Sequence, residues 1–229
     1  MTIDFHAHVL PGVDHGSSGM TESAQQLQKM KQLGVDAVVA SSHFYPYAHT
    51  VKGYLKSATQ AMAGITEQIS QENRPRLYRG AEVLLCEGMD RMEGLERLCI
   101  EGTDCLLLEL PFSHWSSELV QTAHRLLSRD MTVVLAHIDR YPDRMEIINE
   151  LLAKGAKAQL NAAAFAKKYA RSMWKTYCIS GSIVALGSDL HGHKKREICQ
   201  LLATQKWLDQ TYLDVMKRTE ALLESAKAY

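Results

Sequence analysis

Two histidines one residue apart, His6 and His8, close the apolar run Thr2-Ile3-Asp4-Phe5 near the start of the chain. On an extended strand alternate side chains share a face, so both imidazoles point the same way. A pair of neutral imidazoles at a strand end can hold a borderline metal ion. One pair is weak evidence, because short motifs recur by chance. Residues of the same chemistry, however, return after one apolar run after another. Asp14 follows in Pro11-Gly12-Val13-Asp14-His15-Gly16, and His43 ends Ser41-Ser42-His43. Glu82 lies in Gly80-Ala81-Glu82-Val83 and Glu109 in Leu108-Glu109-Leu110-Pro111. His137 opens His137-Ile138-Asp139-Arg140-Tyr141, and Asp189 and His191 close Gly187-Ser188-Asp189-Leu190-His191.

Nine such groups exceed the four that a zinc ion usually takes. They suit two or three ions sharing a bridging carboxylate. Mixed imidazole and carboxylate donors fit zinc, manganese or iron. A set without cysteine argues against a purely structural zinc. Paired ions about 3.5–4 Å apart activate a shared water and clamp the attacking and leaving oxygens of an in-line displacement. That chemistry hydrolyses phosphate esters. Two cations complete the set: Arg140 follows His137 by three residues and Arg196 follows His191 by five. Guanidinium forks match phosphate oxygens.

The elements that must position these groups alternate between strand-type and helix-type segments. Strands are expected at Ile3–Phe5, Ala37–Ser41, Leu77–Leu85, Cys105–Leu110, Thr132–Ala136, Ala158–Asn161 and Ile183–Gly187. Helices are expected from a Thr21 cap to Leu33, with Ala24, Leu27, Met30 and Lys31 at helical spacing, and at Val51–Gln71, with Leu55, Ala58, Met62 and Ile65 on one face. Others are expected at Glu118–Arg129, Arg144–Lys154 and Ala163–Ile179, and after Gly187 with a break near Asp209–Gln210. Met89–Leu98 is ambiguous. Seven strand-then-helix units point to an α/β fold, a parallel (β/α)7 barrel, with an open doubly wound sheet as the rival. In a barrel all strand C-termini meet at one face. All nine groups then converge. With no Pro/Gly linker or repeat, residues 1–229 read as one domain.

Composition narrows the class. The 229 residues carry 26 basic and 26 acidic side chains, so no global excess favours nucleic acid or an anionic membrane. No apolar run reaches the length of a membrane span, and the start lacks the charged and apolar regions of a signal peptide. Five cysteines, an odd number without C-x-x-C, suit free thiols in a reducing cytoplasm. None is followed six residues later by arginine, which removes the cysteine-nucleophile phosphatase loop.

The pattern resembles the polymerase-and-histidinol-phosphatase (PHP) superfamily, and within it the CpsB/CapC type of capsule-biosynthesis tyrosine phosphatase. His6-Ala7-His8-Val9-Leu10-Pro11-Gly12-Val13-Asp14 carries the most specific part. Ser41-Ser42-His43, Gly80-Ala81-Glu82, Leu108-Glu109-Leu110-Pro111, Ala136-His137-Ile138-Asp139-Arg140-Tyr141 and Ser188-Asp189-Leu190-His191 follow in order. The resemblance implies a distorted TIM-like barrel with three divalent ions, often manganese. His6, His8, Glu82 and Asp189 would hold the first. Glu82 would bridge to the second with Glu109 and His137, and Asp14, His43 and His191 would hold the third. Arg140 and Arg196 stand where the family binds phosphate. His15 and Phe44 depart from the family, which often has Asp and His there.

The expected reaction is hydrolysis of phosphotyrosine by direct attack of a metal-bridging hydroxide, in capsule or exopolysaccharide regulation. The expected partner is a phosphotyrosine protein, such as a polysaccharide-export tyrosine kinase, and not nucleic acid or the membrane interior. Phe44, Tyr45, Tyr47, Phe112 and Trp115 are candidates to meet the phosphotyrosine ring, each also able to serve as loop packing. His114 and His193 are candidates to support the ligands, while His49 and His124 have no expected role. The rivals are a PHP phosphatase of a small metabolite such as histidinol phosphate, a TatD-like nuclease, and a non-enzymatic metal-stabilised barrel.

Overall fold

The computed structural model describes residues 1–113, 115–192 and 195–225. Seven strands alternate with helices: β1 (Ile3–Ala7), β2 (Ala37–Phe44), β3 (Arg76–Leu84), β4 (Cys105–Glu109), β5 (Thr132–Leu135), β6 (Lys157–Asn161) and β7 (Ile183–Gly187). They form one parallel sheet in the order β1 to β7. Its two edges meet where the active face would be. Ala7 bridges Leu190, His8 N donates to Leu190 O at 3.0 Å, and Asp189 N donates to His6 O at 2.7 Å. The sheet is therefore a nearly closed barrel, and the open doubly wound alternative falls.

Strands buried on both faces read as unbroken apolar runs. Every residue of β1, β2, β4 and β7 is buried. The α-helices among the described residues are α1 (Met20–Gln32), α2 (Val51–Gln68), α3 (Ser117–Leu127), α4 (Met145–Ala153), α5 (Lys168–Ser180), α6 (Lys195–Leu208) and α7 (Gln210–Glu224). Leu119, Thr122, Ala123 and Leu126 show the usual inward stripe on α3. The five cysteines are all free thiols. No helix among the described residues is long and apolar enough to cross a membrane.

Some local expectations need correction. Thr21 lies inside α1 rather than capping it. The helix starts two residues earlier than that cap implies, at Met20, and Glu22 folds back onto Ser18, accepting from its N and its Oγ, each at 2.7 Å. Lys31 is exposed, so the inward face is Ser23, Gln26, Leu27 and Met30. On α2 the buried stripe is Tyr54, Ala58, Ala61 and Ile65, with Leu55 and Met62 at its margin. Tyr54 turns inward because its hydroxyl donates to Ser42 O and Gly80 O, both at 2.9 Å, locking α2 onto β2 and β3. The ambiguous stretch resolves into two 3-10 turns, Met89–Arg91 and Leu95–Leu98, each entered through a left-handed glycine. The helix expected from Ala163 begins as a 3-10 turn (Ala162–Phe165) and becomes α5 only at Lys168. Asp209, with φ at 51°, separates α6 from α7 as expected.

Candidate metal centre

Register assembles the centre. β2 and β3 pair so that His43 lies beside Glu82, and β3 and β4 pair so that Glu109 lies beside Leu84, one step nearer the mouth. His6 and His8 leave β1 on the same side. His137 and Asp189 follow β5 and β7 in left-handed backbone, with φ of 31° and 54°. Side chains other than Gly and Asn take this conformation at a cost, and such strain collects at functional sites.

Glu82 is the hub. Its Oε2 stands 3.1 Å from His6 Nε2, 3.2 Å from His8 Nε2 and 3.0 Å from His43 Nδ1. Its Oε1 stands 2.7 Å from His137 Nε2. Glu109 lies 3.7 Å from His43 Nδ1 and 3.9 Å from His137 Nε2. Asp189 Oδ1 lies 3.5 Å from His8 Nε2 and 3.8 Å from His6 Nε2. Among the described residues, four overlapping groups could each hold an ion: His6/His8/Asp189, His6/Glu82/His137, His43/Glu82/Glu109 and His8/His43/His191.

The donor set fits cations for a physical reason. The two Nε2 atoms of His6 and His8 face each other at 3.1 Å. Glu82 Oε2, His43 Nδ1 and His191 Nε2 are buried without a hydrogen-bond partner among the described residues. Buried polar atoms normally find partners, so lone pairs left converging call for positive charge between them.

Eight of the nine expected ligands thus meet. Asp14 takes another position, behind His8. Its Oδ2 accepts from His8 Nδ1 at 2.7 Å and from His43 N at 2.9 Å, and its Oδ1 accepts from Gly16 N at 2.8 Å. A carboxylate behind a ligand imidazole orients the ring and raises its basicity.

Burial opposes a charge on His8, yet Asp14 and Glu82 lift its pKa to about 10. Burial and the nearby Glu82 charge raise Glu109 to about 7. Glu82 itself is held well below the ordinary range: burial resists its charge, but His6, His137 and His43 overcome that. Metal ligation requires these groups deprotonated. Loading the protein with Mn²⁺ at pH 7 should therefore release protons, and affinity should rise with pH. Titration calorimetry in buffers of different ionisation heat measures this. An enthalpy independent of buffer would contradict it.

The family described as "Capsular polysaccharide synthesis, CpsB/CapC" matches residues 2–224. The chain belongs to this CpsB/CapC family. It is 22% identical over 203 residues to the tyrosine-protein phosphatase YwqE of Bacillus subtilis, covering 85% of this chain and 79% of that one. It is 22% identical over 175 residues to the tyrosine-protein phosphatase CpsB of Streptococcus agalactiae, covering 72% and 70%. Among solved structures, the work on YwqE from Bacillus subtilis and CpsB from Streptococcus pneumoniae, described as unique metal-dependent tyrosine phosphatases, gives a TM-score of 0.76 at 21% identity, covering 99% of this chain and 96% of that one. A histidinol phosphate phosphatase from Lactococcus lactis, complexed with zinc, L-histidinol and phosphate, gives 0.64 at 11% identity, covering 92% and 93%. Both structures share the barrel.

Above the centre this CpsB/CapC chain opens a cavity of about 560 Å³. His43, Glu109, His191 and Arg140 form part of its lining, with His15, Tyr45, Tyr47 and Phe112 around them. Arg140 donates through Nη2 to Asp189 Oδ2 and is partly exposed. Arg196, exposed on the first turn of α6, is not among the described residues that line this cavity.

Of the five candidate aromatics, three reach the cavity. Tyr47 and Phe112 are 76% and 67% exposed there. Phe44 is fully buried, edge-on to Tyr54, because strand alternation turns it away from His43. Trp115 is also buried, its Nε1 donating to Pro111 O at 2.7 Å and its ring against Tyr141. His15 stacks on His43 and His191, with ring centres 4.9 and 4.8 Å apart. His49 accepts from Tyr45 N, and His124 pairs with Glu150 on the outer surface. His114 and His193 lie outside the described residues.

Sequence reasoning passed over residues that no ligand motif marks. Asp4, fully buried, accepts from Ser188 N at 2.8 Å and from His6 N at 3.3 Å, tying β1 to the end of β7. Burial pushes its pKa up to about 6. Its place two residues before His6, on the same inward face, was the available signal. Gln159 and Asn161 on β6, the one strand without a ligand, were passed over as well.

Proposed function

We propose that the chain is a metal-dependent protein-tyrosine phosphatase, a single catalytic domain serving capsular polysaccharide synthesis in the cytoplasm. The observation that carries the reading is one arrangement. Converging imidazoles and carboxylates floor a cavity whose rim bears Arg140 and three aromatic rings. Family membership and the curated relatives YwqE and CpsB support the same activity. The donor set suits three divalent ions, manganese foremost, with zinc or iron as substitutes. The nine residues named from the sequence would hold them, Asp14 by a turn of its side chain or through His8.

Such ions supply Lewis acidity and an activated water. The chain's own groups do the rest. Arg140 offers guanidinium donors to phosphoryl oxygens at the cavity wall. Arg196, from α6, would serve the phosphate only in a longer reach. Tyr45, Tyr47 and Phe112 offer ring faces to an aryl group. In this reading the activated water attacks phosphorus directly, with no covalent enzyme intermediate. A tyrosine phenolate leaves with a pKa of about 10, so it needs little proton assistance.

The test compares kcat/KM for a phosphotyrosine peptide and for histidinol phosphate, after chelation and again after Mn²⁺ is returned, with elemental analysis of the protein. Restored turnover with clear preference for the peptide is expected. Preference for histidinol phosphate would move the reading to a metabolite phosphatase. Cleavage of oligonucleotides alone would make it a nuclease. A natural substrate of matching chemistry is a tyrosine-phosphorylated kinase of polysaccharide export.

Arg140→Ala should raise KM by roughly 10- to 100-fold, the worth of a hydrogen bond to a charged group, and leave kcat less affected. An unchanged KM with lost kcat would make Arg140 a group that acts only in the transition state.

A further inference from the structure

We infer that Gln159 and Asn161 of β6 form a hydrogen-bond relay that orients His6 and Asp189, two ligands of the His6/His8/Asp189 site. The inference rests on the metal reading above and adds positioning residues to it. β6 contributes none of the nine ligands, yet its end carries two buried amides at positions two apart, on one face.

The polarity of the relay follows from its first bond. The backbone N–H of His137 points at Gln159 at 2.7 Å. A backbone amide can only donate, so the atom it meets is Gln159 Oε1. The same Oε1 stands 3.3 Å from His6 Nδ1. An oxygen facing that nitrogen makes it the protonated one, and His6 Nε2 is left with its lone pair toward Glu82, His8 and Asp189.

The other end of the amide continues the chain. Gln159 Nε2 donates to Asn161 Oδ1 at 3.1 Å, and Asn161 Nδ2 donates to Asp189 Oδ2 at 2.9 Å. That bond, with the one from Arg140 Nη2 to the same oxygen, leaves the other oxygen, Oδ1, turned toward His6 and His8. Asn161 is itself held, its N–H donating to Asp139 Oδ1 at 2.9 Å. Two of the held residues, His137 and Asp189, are the ligand residues in left-handed backbone. Gly187 leaves the relay its space: a Cβ there would stand 2.5 Å from His6 Cβ and 2.8 Å from Gln159 Nε2.

The test titrates the full-length metal-free protein with Co²⁺ and follows visible absorption, alongside thermal melts without metal. Gln159→Leu removes the acceptor for His6 and the donor for Asn161. Asn161→Asp replaces the donor to Asp189 with a second carboxylate. Asn161→Asp should weaken one Co²⁺ step by roughly 10- to 100-fold, the usual worth of such a supporting partner, and leave the remaining steps at wild-type affinity, whereas Gln159→Leu, which also frees the His6 shared with the His6/Glu82/His137 group, should weaken two. If Gln159→Leu does not fold, Asn161→Asp decides. Unchanged steps in Asn161→Asp, or equal weakening of all steps, would overturn the relay. A wild-type protein that binds no Co²⁺ would instead overturn the metal reading beneath it.

Discussion

Glu82→Gln should lower kcat on a phosphotyrosine peptide by at least about a thousandfold and reduce the number of ions bound. Partners one step behind a metal ligand are already worth roughly 10- to 100-fold, and Glu82 stands at the hub itself. Its two oxygens lie within 3.2 Å of nitrogens on His6, His8, His43 and His137. Gln keeps the shape but replaces an anionic oxygen with an N–H₂ group. That group would point donors where the ions must sit and would bring no negative charge to offset theirs. Elemental analysis and steady-state kinetics on the same preparation read both effects. Full metal content with wild-type kcat would remove Glu82 from the centre.

Gly16→Ala should cost about a hundredfold in kcat/KM although residue 16 is not itself a ligand. A Cβ at this position would stand 2.0 Å from His8 Cβ, 2.7 Å from His8 O and 3.0 Å from Asp14 Oδ1. Two of these atoms cannot step aside without moving β1's exit or the Asp14 loop. The loop is pinned at its base, Gly12 N donating to Ser17 O at 2.9 Å. The displacement must therefore fall on Asp14, which steadies both the His8 ring and the His43 backbone. A shift of about 1 Å in a reacting constellation costs on the order of a hundredfold. Gly19→Ala is the control, since a Cβ there meets nothing within 4 Å and the backbone is extended, with φ at 172°. Equal activity in the two variants would show that the loop tolerates the crowding.

The Gly16 prediction turns on packing that no motif displays, and the same holds for what sequence reasoning left open. The spacing of apolar runs was legible because parallel strands covered by helices are apolar throughout, as β4 shows. The end of each run was legible to within a few residues. Helix starts were less so: α1 begins at Met20 after Gly19, with Glu22 bonded back to Ser18, and the expected Thr21 cap lies inside the helix.

The order of His, Asp and Glu after successive strands was determined by the sequence alone, and with it the chemistry of the centre. Parallel strands of a barrel end at one face, so position along the chain became position in space. Tertiary structure decided where each group stands. It turned Asp14 onto His8, set Arg140 rather than Arg196 at the described cavity wall, buried Phe44 and Trp115, and brought Gln159 and Asn161 behind the ligands. The reason is one of range. Ligand types follow from local alternation, whereas the direction of a lone pair depends on which strand lies opposite, more than a hundred residues away in the case of His6 and Gln159.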